Sequence, residues 1–316
     1  MTEPRVWVLA DPRAGTAAQA LGIAEALCEP LAEPYRVLPL GWSRWASLPL
    51  AWPTLAGLTD EARAGFVPPW PRLVISAGRR AAPAALWLGQ RGAATVQAMR
   101  PGFGAKRFSL LVLGEHDQPR PAANVLRILG ATHRLAPARL AAARASWAEL
   151  EALPGPRVAL LLGGPVKQAG AGLDPALVTG LAQAARAMGG SVMATTSRRT
   201  GAAAGAALAG ALAGTPHRLF AWGQGGANPY AGFLAWADAV VVTGDSVSMI
   251  AEALATAAPV FIAEVPAGRR QGLLWQSLYA AGQARPLGAG LFSRATLNET
   301  GRVAAEIRAR GLLGRG

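Results

Sequence analysis

Short apolar runs rich in Val, Ile and Leu recur along this chain, separated by longer stretches of helical period. The first series is "VWVLA" (6–10), "YRVLPL" (35–40), "RLVIS" (72–76), "ATVQAM" (94–99), "FSLLVLG" (108–114) and "NVLRILG" (124–130). Runs this short that hardly alternate with polar residues fit strands buried on both faces, the pattern of a parallel sheet covered by helices. A helical stretch over 137–149 leads into "EALPGPR" (151–157), whose Pro-Gly-Pro is the predicted linker. The alternation then restarts with "RVALLLGG" (157–164), "SVMATTS" (191–197), "HRLFAWG" (217–223), "ADAVVVTG" (237–244) and "APVFIAE" (258–264). The predicted fold class is α/β, two Rossmann-like doubly wound domains facing a central cleft. The expected domains are 1–150, 151–294 and a C-terminal helical segment, 295–316, packing back on the first domain.

In such sheets ligands bind beyond the carboxyl ends of the strands, where loops lead into helix N-termini. The polar residues of the chain gather there. "TTSRRTG" sets Thr196 and Ser197 beside Arg198 and Arg199, a match for a phosphate or diphosphate through bidentate hydrogen bonds; the plain alternative is a capped helix with two solvated arginines. "GGPVKQAG" places Gly163 and Gly164 after a strand, with Lys167 beyond, but lacks the spacing of a P-loop or a dinucleotide fingerprint. "DSVSMIAEAL" puts Asp245, Ser248 and Glu252 on one helical stripe opposite Val247, Ile250, Ala251 and Leu254. Hydroxyls at Ser246 and Ser248 holding phosphate, with Glu252 accepting from ribose, would suit a nucleotide; an ordinary capped helix with an exposed glutamate is the alternative. The glycine-rich loop before Asn228 can approach a flat base or a sugar. In the first half, Asp11, Glu115 and His116 are candidates for a general base on an acceptor hydroxyl, with Arg13, Gly15 and Arg79 on the acceptor-side loops. No spacing of His, Asp and Glu suggests a metal, and no cofactor is expected beyond a nucleotide-sugar donor as substrate.

Composition narrows the classes. A chain of 316 residues that is 52% hydrophobic can build two cores. The single cysteine, Cys28, excludes a disulfide framework. The net charge of +13 invites a nucleic-acid partner, but only Lys106 and Lys167 are lysines and the arginines are scattered without a run, so no nucleic acid is expected. Asp11 interrupts the first apolar run, which argues against a signal peptide, and no stretch offers the roughly 20 strongly apolar residues of a bilayer span. The expected location is cytoplasmic, peripheral on the inner face of the cytoplasmic membrane. "GWSRWASLPLAWP" (41–53) has a membrane-interface composition, and 42–52 is the candidate surface contact; the plainer alternative, which the composition slightly favours, is an apolar loop packed on its own domain.

In order along the chain, "DPRAGTAAQALGIAEAL", "RFSLLVLGEHD", "NVLRILGATHRL", "LLLGGPVK", "TTSRRTG", "NPYAGFLAWADAVVVTGDSVSMIAEALATAAPVF" and "LNETGRVAAEI" resemble the mitochondrial-fission (elongated mitochondria) family, whose bacterial members are described as candidate glycosyltransferases. Thr16 stands where that family commonly carries histidine. The resemblance implies a GT-B-like fold, with a nucleotide-sugar donor on the second domain and an acceptor on the first. It implies that Ser246, Ser248 and Glu252 hold diphosphate and ribose, and that Arg198 and Arg199 neutralise the leaving diphosphate in place of a metal. The functional expectation is a metal-independent glycosyltransferase acting on a cell-envelope glycan or lipid-linked acceptor. The alternative is a non-catalytic adaptor that recruits protein partners at a membrane. An epimerase with a bound nicotinamide would need a Tyr-x-x-x-Lys pair, which the chain lacks.

Overall fold

A computed structural model describes residues 4–165 and 172–314. The chain divides into two compact units: Met1–Arg134 with Asn298–Gly316, and Leu135–Leu297. The first unit carries β1 (Val6–Ala10), α1 (Ala14–Cys28), β2 (Tyr35–Pro39), α2 (Asp60–Ala64), β3 (Leu73–Ala77), α3 (Ala82–Gly89), β4 (Ala94–Ala98), β5 (Leu110–Gly114) and β6 (Val125–Ile128). The second holds α4 (Pro137–Ser146), β7 (Arg157–Leu162), α5 (Pro175–Met188), β8 (Ser191–Thr196), α6 (Ala202–Leu212), β9 (His217–Phe220), α7 (Tyr230–Trp236), β10 (Ala239–Thr243), α8 (Val247–Leu254), β11 (Val260–Ala263), α9 (Arg269–Ala280) and β12 (Arg285–Pro286). The chain then returns to the first unit as α10 (Glu299–Ala309).

Among the described residues each unit has one six-stranded sheet, β2-β1-β3-β4-β5-β6 in the first and β12-β11-β10-β7-β8-β9 in the second, with every strand pair parallel. Both faces of each sheet are covered, which is why the strands read as unbroken apolar runs. In β1, Val6 and Val8 pack with Ile23 and Leu27 of α1 and with Val303 and Ile307 of α10, while Trp7 and Leu9 pack on the other face with Leu38, Val74 and Leu111. In β7, Val158, Leu160 and Leu162 meet Val178 and Leu181 of α5 and Leu208 of α6.

The boundary between the units falls at Arg134/Leu135 rather than at 150/151. The cause is packing. Trp147 and Leu150 join Phe233, Trp236 and Met193 in one cluster, and Trp236 Nε1 donates to the Arg144 carbonyl at 3.1 Å, so α4 belongs with α7. Pro-Gly-Pro is a turn inside the second unit. The chain returns to the first unit at Asn298, whose side chain accepts from Gly301 N at 2.8 Å and starts α10. Glu299 then accepts from Leu129 N at 2.9 Å, and Thr300 Oγ1 accepts from His133 N at 2.9 Å. The two-residue β12 is an edge strand too short for a sequence pattern to reveal. Cys28 is buried, and burial pushes its thiol up to about 11, which makes it an unreactive core residue. Among the described residues, no helix is long and apolar enough to cross a membrane.

Candidate functional site

Strand order in each sheet reverses once, between β1 and β3 in the first unit and between β7 and β10 in the second. At such a point neighbouring strands send their following loops to opposite sides and leave a crevice at the carboxyl edge. The β7/β10 point is the richer in polar groups. Gly163 N donates to Thr243 Oγ1 at 2.7 Å, and Gly164 N donates to Asp245 Oδ2 at 2.8 Å. Arg199 NH2 lies 3.4 Å from the same Oδ2. Asp245 is only 5% exposed, and its Oδ1 has no hydrogen-bond partner among the described residues. Burial raises the pKa of this carboxyl, against the opposing pull of Gly164 N, Thr243 and Arg199.

The two glycines serve the protein's own packing. A Cβ on Gly163 would sit 2.4 Å from Asp245 Oδ2, and one on Gly164 would sit 2.1 Å from the Arg199 carbonyl oxygen. The same holds for Gly244, where a Cβ would meet the Trp275 ring at 2.4 Å and where Trp275 Nε1 donates to the carbonyl at 2.9 Å. Glycine is thus required for three loops to close on one another.

The "TTSRRT" segment is a folded turn. Thr200 Oγ1 is 2.6 Å from the Gly163 carbonyl and accepts from Ser197 N at 2.8 Å, while Ser197 Oγ accepts from Arg199 N at 3.2 Å. Thr196 Oγ1 accepts from Trp222 N at 2.8 Å. These hydroxyls are committed as acceptors within the loops. Arg198 is exposed, and Arg199 reaches inward to Asp245.

Ser246 caps α8, accepting from Met249 N at 3.4 Å, and Ser248 lies partly buried in the first turn. Further along the same stripe, Glu252 is not the exposed glutamate of the plainer reading. Its Oε2 accepts from Tyr230 Oη at 2.6 Å, and burial lifts its pKa to about 7 against the opposing effect of that hydrogen bond. Asn228 is exposed and accepts from Tyr230 N at 3.0 Å, an Asx turn that leads into α7 and sets the tyrosine toward Glu252. Lys167 lies outside the described residues.

Four contributors were not legible in the sequence: Thr243, Tyr230, Trp275 and Arg294. Arg294 donates to the carbonyls of Ala253, Leu254, Thr256 and Ala258 at 2.7 to 3.1 Å, so it fastens the C-terminal end of the helix whose N-terminus faces the switch point. Burial lowers its pKa to about 10, and it remains a cation. Hydroxyl, phenol and indole groups sit at unremarkable strand-end and helix positions, and only the tertiary contacts reveal their partners.

In the first unit Asp11 follows β1 and is 4% exposed. Its Oδ1 accepts from Arg13 N at 2.8 Å and Nε at 3.2 Å, whereas Oδ2 is buried without a hydrogen-bond partner among the described residues. Gly15 falls in the first turn of α1, and Gly78, after β3, has φ +80° with its Cα facing Thr16. Gln97, a residue the strand pattern gave no reason to single out, donates to the Gly78 carbonyl at 3.0 Å and accepts from Ser76 Oγ at 2.6 Å, fixing this loop. Arg79 is exposed beside Gly102. Glu115 and His116 stand at the end of β5, three strand steps or roughly 14 Å of sheet from β1, so sheet order separates them from Asp11. His116 is buried, and Glu115 lies 4.0 Å from Arg127.

The profile of the family described as mitochondrial fission ELM1 matches residues 14–311. The chain belongs to this mitochondrial-fission family. Mitochondrial fission protein ELM1 of Arabidopsis thaliana is 31% identical over 233 residues, which is 65% of this chain and 54% of that protein. The chain therefore aligns with about half the length of this relative. Two solved structures show the fold shared with the family member described here. One is UDP-GlcNAc 2-epimerase from Methanocaldococcus jannaschii, at 10% identity, covering 96% of this chain and 98% of that one with a TM-score of 0.55. The other is Arabidopsis thaliana UGT89C1 complexed with UDP-L-rhamnose, at 12% identity, covering 99% and 92% with a TM-score of 0.50. The fold is α/β and GT-B-like.

Proposed function

We propose that the protein binds a nucleotide sugar at the β7/β10 switch point and transfers the sugar to a glycan or lipid-linked acceptor. The observation that carries this reading is the strand reversal at which Arg199 reaches Asp245, the residue next to the Ser246 cap of α8, with Glu252 further along the same helix. Helix amides and a guanidinium favour the two charges of a diphosphate, and a carboxylate two turns along the helix suits a ribose diol. Arg199 would turn from Asp245 to the leaving diphosphate, with Arg198 beside it. Thr196 retains a hydroxyl proton to donate, whereas Ser197 Oγ lies 3.2 Å from Thr200 Oγ1. In the transfer the acceptor oxygen bonds to the anomeric carbon, the bond from that carbon to the diphosphate oxygen breaks, and the acceptor proton passes to a base. The likeness to UDP-GlcNAc 2-epimerase and to UGT89C1 is one of fold, and the chemistry is argued from this chain's own residues.

Calorimetric titration with a panel of nucleoside diphosphates and their sugars tests the reading. At least one should bind, and Arg199→Ala and Glu252→Ala should each weaken it about tenfold or more. Binding by none of them, or equal binding by both variants, would count decisively against it. A second reading, a non-catalytic adaptor, is favoured by family membership and by the internal use of the loop hydroxyls. It predicts that these substitutions leave partner recruitment intact.

A further inference from the structure

Between β2 and α2 the chain makes a compact Ω-shaped loop, 43–57, closed at its neck. Trp42 and Leu58 form an antiparallel bridge, Ser43 N donates to the Gly57 carbonyl at 3.0 Å, and Thr59 N donates to the Gly41 carbonyl at 3.0 Å. Arg63 of α2 fastens the returning limb, donating from Nε to the Leu55 carbonyl and from NH2 to the Ala56 carbonyl, both at 3.1 Å. Inside the loop, Ala46 is buried and Leu50 folds over Gly57, where a Cβ would meet it at 3.1 Å. Trp42 and Leu55 pack into the core of the unit. What the loop does not bury is its tip: Trp45, Leu48 and Trp52 are 45%, 48% and 57% exposed.

A flexible loop could fold such side chains away. This one is held by its neck, by Arg63 and by its own filling, so the apolar tip is built to face outward. Its electrostatics are one-sided. No acidic residue lies between Glu33 and Asp60, Arg44 is exposed with its guanidinium carbon 4.7 Å from the Trp45 ring centre, and the whole chain carries +13. Tryptophan beside arginine, without acid, matches the headgroup level of an anionic bilayer, where the ring enters the interface and the guanidinium meets lipid phosphate. The loop leaves the carboxyl end of edge strand β2, next to β1, which carries Asp11 on the same sheet edge.

We propose that loop 43–57 is an interfacial anchor that seats the first unit on an anionic lipid surface through Trp45, Leu48, Trp52 and Arg44. The anchor does not depend on the donor chemistry proposed above. An acceptor with a lipid tail would be presented at the sheet edge that carries Asp11.

The test is co-sedimentation of the full chain with vesicles of phosphatidylcholine alone or mixed with phosphatidylglycerol, across a salt series and without nucleotide. The wild type should pellet with the anionic vesicles and keep part of its binding at high salt. Trp45→Ser and Trp52→Ser should each weaken binding about tenfold, and Arg44→Glu about as much, with thermal midpoints unchanged because these side chains are exposed. Trp222→Ser, at an exposed tryptophan of the other unit, should bind as the wild type does. The proposal is overturned if the wild type binds neither vesicle. It is also overturned if the tip variants bind as well as wild type and salt removes all binding, since the net charge then suffices. A tip substitution that instead dissolves a dimer, seen by analytical ultracentrifugation without lipid, would assign the patch to a second copy and reject the anchor.

Discussion

The two switch points are built on one plan and finished differently. Each has a buried aspartate just beyond a central strand, Asp11 after β1 and Asp245 after β10, with an arginine on one carboxylate oxygen and the other left without a partner among the described residues. At β1/β3 the arginine comes from the same turn, two residues on, and the loop behind is held by a buried glutamine. At β7/β10 the carboxylate is a hub that ties together Gly164, Thr243 and Arg199 from three different strand ends. A ligand at the first point can displace a local contact. At the second it must exchange places with a network, which suits an anion able to take over Arg199.

Several substitutions would break or sharpen this contrast. The largest effect should come from Gly164→Ala, whose Cβ would fall 2.1 Å from a backbone oxygen, with a loss of about 3 kcal/mol or more. Gly78→Ala at the other point meets only Thr16 Cγ2 at 3.2 Å and chiefly faces φ +80°, so about 1–2 kcal/mol is expected. Thermal unfolding of both variants measures the difference, and equal losses would refute the hub description. Arg294→Ala should cost about 2–4 kcal/mol, because the carbonyls at the end of α8 lose a charged donor; an unchanged melting curve would show that water replaces it.

Glu252 supplies a test with a sign. Its folded pKa, about 7, lies above the ordinary 4.5, so the folded chain holds that proton more tightly than the unfolded one. Its contribution is therefore most favourable below pH 4.5 and declines as pH rises through 7. Glu252→Gln, which can still accept from Tyr230, should match wild type near pH 4 and gain on it up to a plateau above 7, by roughly 1–3 kcal/mol. Denaturant unfolding at a series of pH values reads this directly, and a gain that does not vary with pH would contradict the buried ionisable pair. The smallest effect should be Asp245→Asn, within about 1 kcal/mol at neutral pH, since the lost attraction to Arg199 is offset by relief of burying charge. A loss of several kcal/mol would mean that the ion pair, rather than the hydrogen bonds, holds the hub.

Much of this was legible along the chain because strand and helix periods are local properties. The eleven apolar runs that read as strands are strands β1 to β11, and Ser246 heads α8 as its residue type suggests. The domain boundary was not legible. Pro-Gly-Pro has the composition of a linker, but Trp147, Leu150, Phe233 and Trp236 bury one another across more than eighty residues of sequence and draw α4 into the second unit. The site divides in the same way. Asp245, Arg199 and the glycine pair could be singled out as residue types at strand ends, while their contacts follow from sheet order, which brings β10 beside β7 and sets Glu115 apart from Asp11. The glycines are the clearest instance: sequence shows that a side chain is absent there, and only the packed loops show that Asp245 and the Arg199 carbonyl fill the space. By itself the sequence determined the elements, their layering and the chemical groups available, because these depend on neighbours a few residues away. Tertiary structure decided which groups meet, which hydroxyls are already committed and which tryptophans remain in water, because those outcomes depend on burial shared between distant segments.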